Sequence, residues 1–392
     1  MLSKLFNVLT SIFQHSCVRP KTEGQFDKSA AFADQDATHR RVASAVGTLP
    51  SSLDSACSIS VTPSFPANLQ ASHPLPRTLQ IGPITYVFTG IVGDGATAQV
   101  ILARESTPVH GRAARVLAIK ALDKSNYILD DIPLIEEGRS RRTVDNHSAI
   151  REEIAILRDT RRIQCPFFAE IVDYRQDMHW CYIFMEHYPQ SLVSRLRDLS
   201  EANQPIDPDL VKLYCAQLII AVSMLHDNMI FHRDIKPENI MIDARGHLKL
   251  IDFGFASRGH CIVDSDGRGS VGYMAPEVVP KYKGASYQAD LADVYSLGVV
   301  FAELLTCPNN KDIFTRDFGS FHIPPRLWER FDVHAADMVK SMIKDVASER
   351  NTTRGILSHA YFDGVDRSDV LNLRLELSYK PTPCGRTEPI PL

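Results

Sequence analysis

His232-Arg233-Asp234-Ile235-Lys236-Pro237-Glu238-Asn239 and, thirteen residues beyond Asn239, Asp252-Phe253-Gly254 decide how the rest of the chain is read. From Asp234 to Asn239 the first string sets a carboxylate, an ammonium and a carboxamide within six positions. The second string adds another carboxylate directly ahead of a glycine. Carboxylate and amide oxygens are the hard ligands that a small divalent cation takes, and an ammonium beside them can offset the charge of an anion. A bare His-Arg-Asp triplet would carry little. The extended string with Asp-Phe-Gly at this distance is specific.

On these residues the chain resembles the eukaryotic protein kinase family, of the Ser/Thr type. The resemblance extends over residues 84–362 and implies an α+β, bilobal fold: a small antiparallel-sheet N-lobe with one helix, then a mainly helical C-lobe. It implies ATP and Mg²⁺ as cofactors, protein substrates, and phosphoryl transfer, in which catalysis is positioning plus neutralisation of phosphate charge. In the family's roles Asp234 accepts or orients the attacking hydroxyl proton, Asn239 and Asp252 hold Mg²⁺, and Lys236 offsets developing charge. Lys236 two residues after Asp234 is the Ser/Thr arrangement. Phe255 goes with serine over threonine as acceptor, and Glu238 could favour a basic residue upstream of it.

Upstream, residues 84–92 read as a strand, and Gly93-Asp94-Gly95-Ala96-Thr97-Ala98-Gln99-Val100 as a tight turn into a second strand. Glycines let backbone N–H groups approach phosphate oxygens where a Cβ would obstruct. The family pattern G-x-G-x-x-G-x-V has Ala98 here in place of its third glycine. Val92, Gly93, Asp94, Gly95, Ala96, Val100 and Ala118 are the implied ATP contacts, with Lys120 of Leu117-Ala118-Ile119-Lys120 on the α/β-phosphates. The helix predicted over residues 150–160 offers two acids, Glu152 and Glu153, to pair with Lys120. The resemblance prefers Glu153, which precedes Ile156-Leu157 by three and four residues as the family's ion-pairing Glu does, and the alternative leaves both as solvated helix charges. Residues 123–147 read as a mobile insert, and 163–173 as a return to strand. Met185 takes the gatekeeper place, Glu186 and Tyr188 offer backbone groups to adenine, and Ser191 stands near the ribose.

The activation segment spans residues 252–277, with Ser270 expected to bond Asp234 and Lys236. Arg233 implies an anion that orders this segment. Ser265 is the phosphorylation candidate, and the carboxylates of Asp264 and Asp266 are the rival. Asp293 should bind the catalytic-loop backbone and Arg350 should pair with Glu277, whose carboxylate suits a bidentate guanidinium. With Lys120, Asp234, Asn239 and Asp252 all present the reading is an active enzyme; the alternative is a pseudokinase or scaffold acting by protein binding.

Composition sets the outer limits. The 392 residues, 44% hydrophobic and 23% charged, can bury one large core or two smaller ones, and a net charge of −4 gives no sign of nucleic acid as partner. The eight cysteines show no C-x-x-C spacing, so neither a zinc site nor a disulfide framework is expected. No apolar run is read as a membrane span. Expected boundaries are a disordered extension over 1–80, a kinase domain over 81–365 (N-lobe 81–186, C-lobe 187–365) and a tail over 366–392. An amphipathic, acid-poor helix over 2–15 could contact a membrane surface or a partner, or serve within residues 1–22 as a mitochondrial presequence. Otherwise a cytoplasmic or nuclear location follows. Leu371, Leu373, Leu375 and Leu377 alternate like an extended segment docked on the domain.

Overall fold

The computed structural model describes residues 75–94, 98–107, 113–124, 146–259, 261–262, 269–279, 286–309 and 323–381. Six antiparallel strands open it: β1 (Thr78–Ile81), β2 (Ile84–Asp94), β3 (Ala98–Glu105), β4 (Val116–Asp123), β5 (Ile171–Gln176) and β6 (Trp180–Glu186), in the order β1-β2-β3-β4-β6-β5. The period-two pattern explains the sheet. Ile101 of β3 lies opposite Ile119 of β4, which lies opposite Phe184 of β6, and all three are fully buried. The adjacent row, Val100, Lys120 and Ile183, therefore turns to the other face, towards the helices.

The sheet begins before the expected boundary at residue 80. Leu79 is buried on β1 and Leu75 packs on the same apolar cluster, so the end of the anticipated 1–80 extension belongs to the fold. Residues 1–74, with the helix expected over 2–15, lie outside the described residues, as do Gly95, Ala96 and Ser265. Helix α1 (Asn146–Ile163) follows β4, and buries Ile150, Ile156 and Leu157. The strand expected over 163–173 is instead a helix end, a turn through Pro166 and then β5 from Ile171, because proline cannot donate to a ladder.

The C-lobe is built on β7 (Gln190–Ser191), α2 (Leu192–Glu201), α3 (Pro208–Asp227), β8 (Ile230–Phe231), β9 (Ile240–Ile242), β10 (Leu248–Leu250), β11 (Ser257–Arg258) and α4 (Ala289–Thr306). Asp207 caps α3 by accepting from the Asp209 N–H, with Pro208 at the first helical position. By length and composition alone α3 is apolar enough to cross a bilayer, a test that the buried core helix of a folded domain also meets. Its position accounts for that: Leu218, Ile219, Ala221, Val222 and Leu225 are fully buried as the axis of the lobe. One apolar core joins the lobes, since Ile156 and Leu157 of α1 and Ile183 of β6 cluster with Leu218, Phe253 and Leu297.

The tail boundary at 365 also moves. Residues 367–371 form a short helix (Arg367–Leu371), so Leu371 is helical rather than extended. Beyond it Leu373, Leu375, Leu377 and Tyr379 pack against the core in alternation with exposed neighbours, as the docking expectation had it.

Packing is tight at the middle of α4. A Cβ on Gly298 would lie 2.7 Å from Ile343 Cγ2 and 2.8 Å from Met342 Cβ. Gly298→Ala should therefore lose about 1–3 kcal/mol to overpacking, more than the roughly 1 kcal/mol alanine gains in helix propensity. The check is the urea midpoint, which should fall; an unchanged or higher midpoint would show that residues 342 and 343 yield freely.

Candidate active site

The cleft between the sheet and the helical lobe gathers its polar groups on a few short, buried segments. Asp293, near the start of α4 and fully buried, is the anchor. Its Oδ2 accepts from the His232 N–H (2.8 Å) and its Oδ1 from the Arg233 N–H (2.7 Å), while His226 Nε2 lies 3.0 Å from Oδ2. A carboxylate at zero exposure needs such donors. They fix the loop backbone, where Arg233 takes φ 66°, a left-handed conformation that neighbouring contacts must impose. Asp252 is likewise left-handed at φ 62°.

His232 orders the next layer. Its Nδ1 accepts from the Asp234 N–H (3.3 Å), which puts the ring proton on Nε2, within 3.0 Å of the Ile251 carbonyl. The ring also rests 5.1 Å from Phe253, which meets Phe168 edge-on at 6.2 Å. The loop bearing Asp234 and the loop bearing Asp252 are thus tied through one imidazole and one buried phenylalanine.

Asp234 Oδ2 lies 2.8 Å from Lys236 Nζ and accepts from Asn239 Nδ2 at 2.9 Å. Asn239 Nδ2 also donates to the Asp234 carbonyl at 2.8 Å. Both amide protons of Asn239 are therefore engaged, which leaves its Oδ1 as the group available to a cation. Asp234 Oδ1 is buried and has no hydrogen-bond partner. Lys236 Nζ donates to Ser270 Oγ at 2.5 Å, so Ser270 reaches Asp234 through Lys236, not directly as expected.

Lys120 bridges two acids: its Nζ stands 2.6 Å from Glu153 Oε1 and 2.7 Å from Asp252 Oδ1. Of the two candidates on α1, Glu153 is buried and Glu152 is exposed. Burial alone would lower the Lys120 ammonium, but the two carboxylates outweigh it and hold the group above its ordinary value. Burial acts to raise Asp252 as well, yet Lys120 and the Gly254 N–H prevail and keep its carboxyl below the usual range. Gly254 keeps this corner open, since a Cβ would sit a tight 3.2 Å from both Asp252 Oδ1 and Lys120 Nζ and push each aside by a few tenths of an ångström.

Val100 and Ala118 share the face of Lys120, opposite the buried face of the sheet. Val92 is exposed at the end of β2, and the backbone of Gly93 and Asp94 closes that strand. At the hinge, the Glu186 N–H donates to the Glu170 carbonyl at 3.1 Å, and the Tyr188 hydroxyl accepts from the Glu170 N–H at 3.1 Å. The Ser191 hydroxyl caps α2, accepting from the Ser194 N–H at 3.2 Å.

Arg350 is fully buried in its side chain and grips Glu277 with both nitrogens, Nη1–Oε1 2.6 Å and Nη2–Oε2 2.8 Å. The Tyr295 ring lies beneath the guanidinium at 4.9 Å. Arg233 Nε donates to the Tyr287 hydroxyl at 3.0 Å and its Nη1 to the Phe255 carbonyl at 3.3 Å. Tyr287 was not anticipated. Nor were the ion pairs Arg258–Asp159, which fastens the segment after Gly254 to α1, and Arg115–Glu186 beside the hinge.

Glu303 was also missed. It is a buried acid in the apolar helix α4, and its Oε1 accepts from the Tyr273 hydroxyl at 2.7 Å. Burial pushes its carboxyl up to about 7; the Tyr273 bond opposes the shift and the nearby Glu238 charge adds to it. A raised folded-state pKa means stability is full below the unfolded value of 4.5 and falls as pH rises towards about 7. Glu303→Gln removes that titration. Between pH 4.5 and about 7 wild type should lose on the order of 2–3 kcal/mol relative to the variant; parallel stability–pH curves from chemical denaturation would contradict this.

Residues 86–362 match the family model described as "Protein kinase domain". Over 182 residues the chain is 34% identical to serine/threonine-protein kinase CHK1 of Saccharomyces cerevisiae, covering 42% of this chain and 34% of that protein. It is 28% identical over 327 residues to human Citron Rho-interacting kinase, covering 78% of this chain but 14% of that one. With the human cAMP-dependent protein kinase catalytic subunit PRKX the identity is 27% over 340 residues, covering 82% and 85%. The match therefore spans only about a third of the first of these proteins and about a seventh of the second.

Proposed function

The chain belongs to the protein kinase domain family, and from that membership we propose that it is an ATP-dependent protein serine/threonine kinase with a preference for serine. The observation that carries the reading is the state of Asp234. One of its oxygens is held by Lys236 and Asn239, and the other is buried without a donor. Such an oxygen is costly to leave unpaired, and the hydroxyl of a protein substrate would supply the missing donor. Asp234 then accepts or orients that proton, and Lys236, bonded to Ser270, offsets charge on the transferred group.

The groups present fit Mg²⁺ and a nucleotide. Asp252 keeps 42% of its side-chain surface exposed, with Oδ1 taken by Lys120 and Gly254, so Oδ2 and Asn239 Oδ1 are the oxygens on offer. Among the described residues no three His, Cys, Asp or Glu gather, so a cation here would complete its shell with phosphate oxygens and water. When bound, Mg²⁺ supplies neutralisation of the nucleotide phosphates. Lys120, oriented by Glu153, would hold the α/β-phosphates. The backbone of residues 93–96 would approach them, and Val92, Val100 and Ala118 would flank the base, with hinge backbone groups at Glu186 and Tyr188 pairing with it.

Phe255, 40% exposed just beyond Gly254, is the bulky residue that in this family goes with serine over threonine, and it supports the serine preference. Glu238, exposed in the catalytic loop, would favour a basic residue upstream of the acceptor.

The test is transfer of labelled phosphate from ATP·Mg²⁺ to a basic protein, wild type beside Asp234→Asn, with phosphoamino-acid analysis. Transfer mainly to serine, lowered in the variant by at least about 10²–10⁴ while nucleotide still binds, is the expected result. An unaltered rate in Asp234→Asn would remove Asp234 from its role. Nucleotide binding without transfer by wild type would favour a scaffold.

A further inference from the structure

The segment after the short helix Arg367–Leu371 lies against the part of the C-lobe that directly follows the hinge. β7 is only two residues long, Gln190 and Ser191, and pairs through Ile242 and Met241 with β9, which itself follows Asn239. A two-residue strand has almost no stability of its own, so its place depends on what packs on it. The Tyr379 hydroxyl bonds Gln190 Oε1, and Gln190 Nε2 donates to Asp198 Oδ2 of α2 at 3.0 Å. Arg195 of α2 covers the Tyr379 ring, Cζ to centroid 3.8 Å. Leu377 is buried in the core beside these contacts.

The surface under the segment is shaped for it. Gly246, in the turn between β9 and β10, has φ +94°, and a Cβ there would fall 2.0 Å from the Tyr379 carbonyl and 3.2 Å from Leu377 Cδ1. Arg245 Nη2 in the same turn reaches the Leu373 carbonyl at 3.4 Å. Residues 373–379 therefore touch α2, β7 and the β9–β10 turn together.

We propose that this segment is an intramolecular strap, with Tyr379 a positioning residue that acts through Gln190 to hold the hinge-following strand where Tyr188 and Ser191 can meet a nucleotide. The inference rests on the kinase reading for its ligand but not for its mechanics. Tyr379 touches no reacting group. Its loss should weaken nucleotide capture and leave the chemical step alone.

In the full-length chain, Tyr379→Ala should raise KM for ATP about 3- to 10-fold, the range expected when one cation–π contact and its hydrogen bond are lost. The turnover number and KM for the protein substrate should stay within about twofold. Tyr379→Phe, which keeps the ring over Arg195 but loses the hydroxyl bond to Gln190, should show most of the loss, and Arg195→Met, which leaves that bond in place, a smaller part of it. Amide hydrogen exchange over residues 189–193 without nucleotide should quicken in Tyr379→Ala. An unchanged KM for ATP, or equal losses in all three kinetic constants, overturns the strap. If wild type binds no nucleotide the kinase reading falls instead, and exchange alone decides: protection equal to wild type in both Tyr379→Ala and Arg195→Met overturns the strap, and faster exchange in either upholds it.

Discussion

A carboxylate removed from water must be met by donors fixed in advance, and Asp293 is where the molecule meets that condition at its centre. Its oxygens hold the N–H groups of His232 and Arg233 and face His226 of α3. The left-handed turn at Arg233, the ring position of His232 and the placement of Asp234 follow from that clamp. Without it the loop would carry unpaired buried amides, each costing about 1–3 kcal/mol. Helix α4 can present Asp293 because nearly all of it is buried, with Val299, Val300 and Phe301 at zero exposure.

The same logic recurs at Glu277 and Arg350, where the planar guanidinium satisfies a carboxylate with two parallel bonds and donates again to the Leu291, Lys344 and Asp345 carbonyls. The segment ending at Glu277 is thus tied to the far end of the lobe. At the other end of the cleft, Lys120 serves two carboxylates at once, so the sheet, α1 and the Asp252 loop meet on one nitrogen.

Much of this was legible because the functional groups sit in short strings. The spacing of Asp234, Lys236 and Asn239 within one turn, and the alternation about Lys120, say which side chains share a point before any fold is known. Glu153 over Glu152 followed from the family's spacing to Ile156 and Leu157, and in the fold Glu153 is the one of the two that is buried. What was not legible depends on contacts between distant residues. Glu303 showed only as an acid within an apolar helix, and nothing near it announced Tyr273, thirty residues earlier. β1 was hidden by the Ser- and Pro-rich composition that runs up to it, and Leu371 kept the period of its neighbours while ending a helix. The Arg258–Asp159 pair joins positions whose charges, in sequence, look like ordinary surface.

The continuous apolar core beneath the cleft has a consequence for how the protein comes apart. Because Ile156, Leu157 and Ile183 cluster with Leu218, Phe253 and Leu297, neither half keeps a complete interior once the other is lost. Unfolding of either half therefore exposes apolar side chains of the other, which couples the stabilities of the two. Hinge motion in the native state is limited to displacements that keep those side chains in touch.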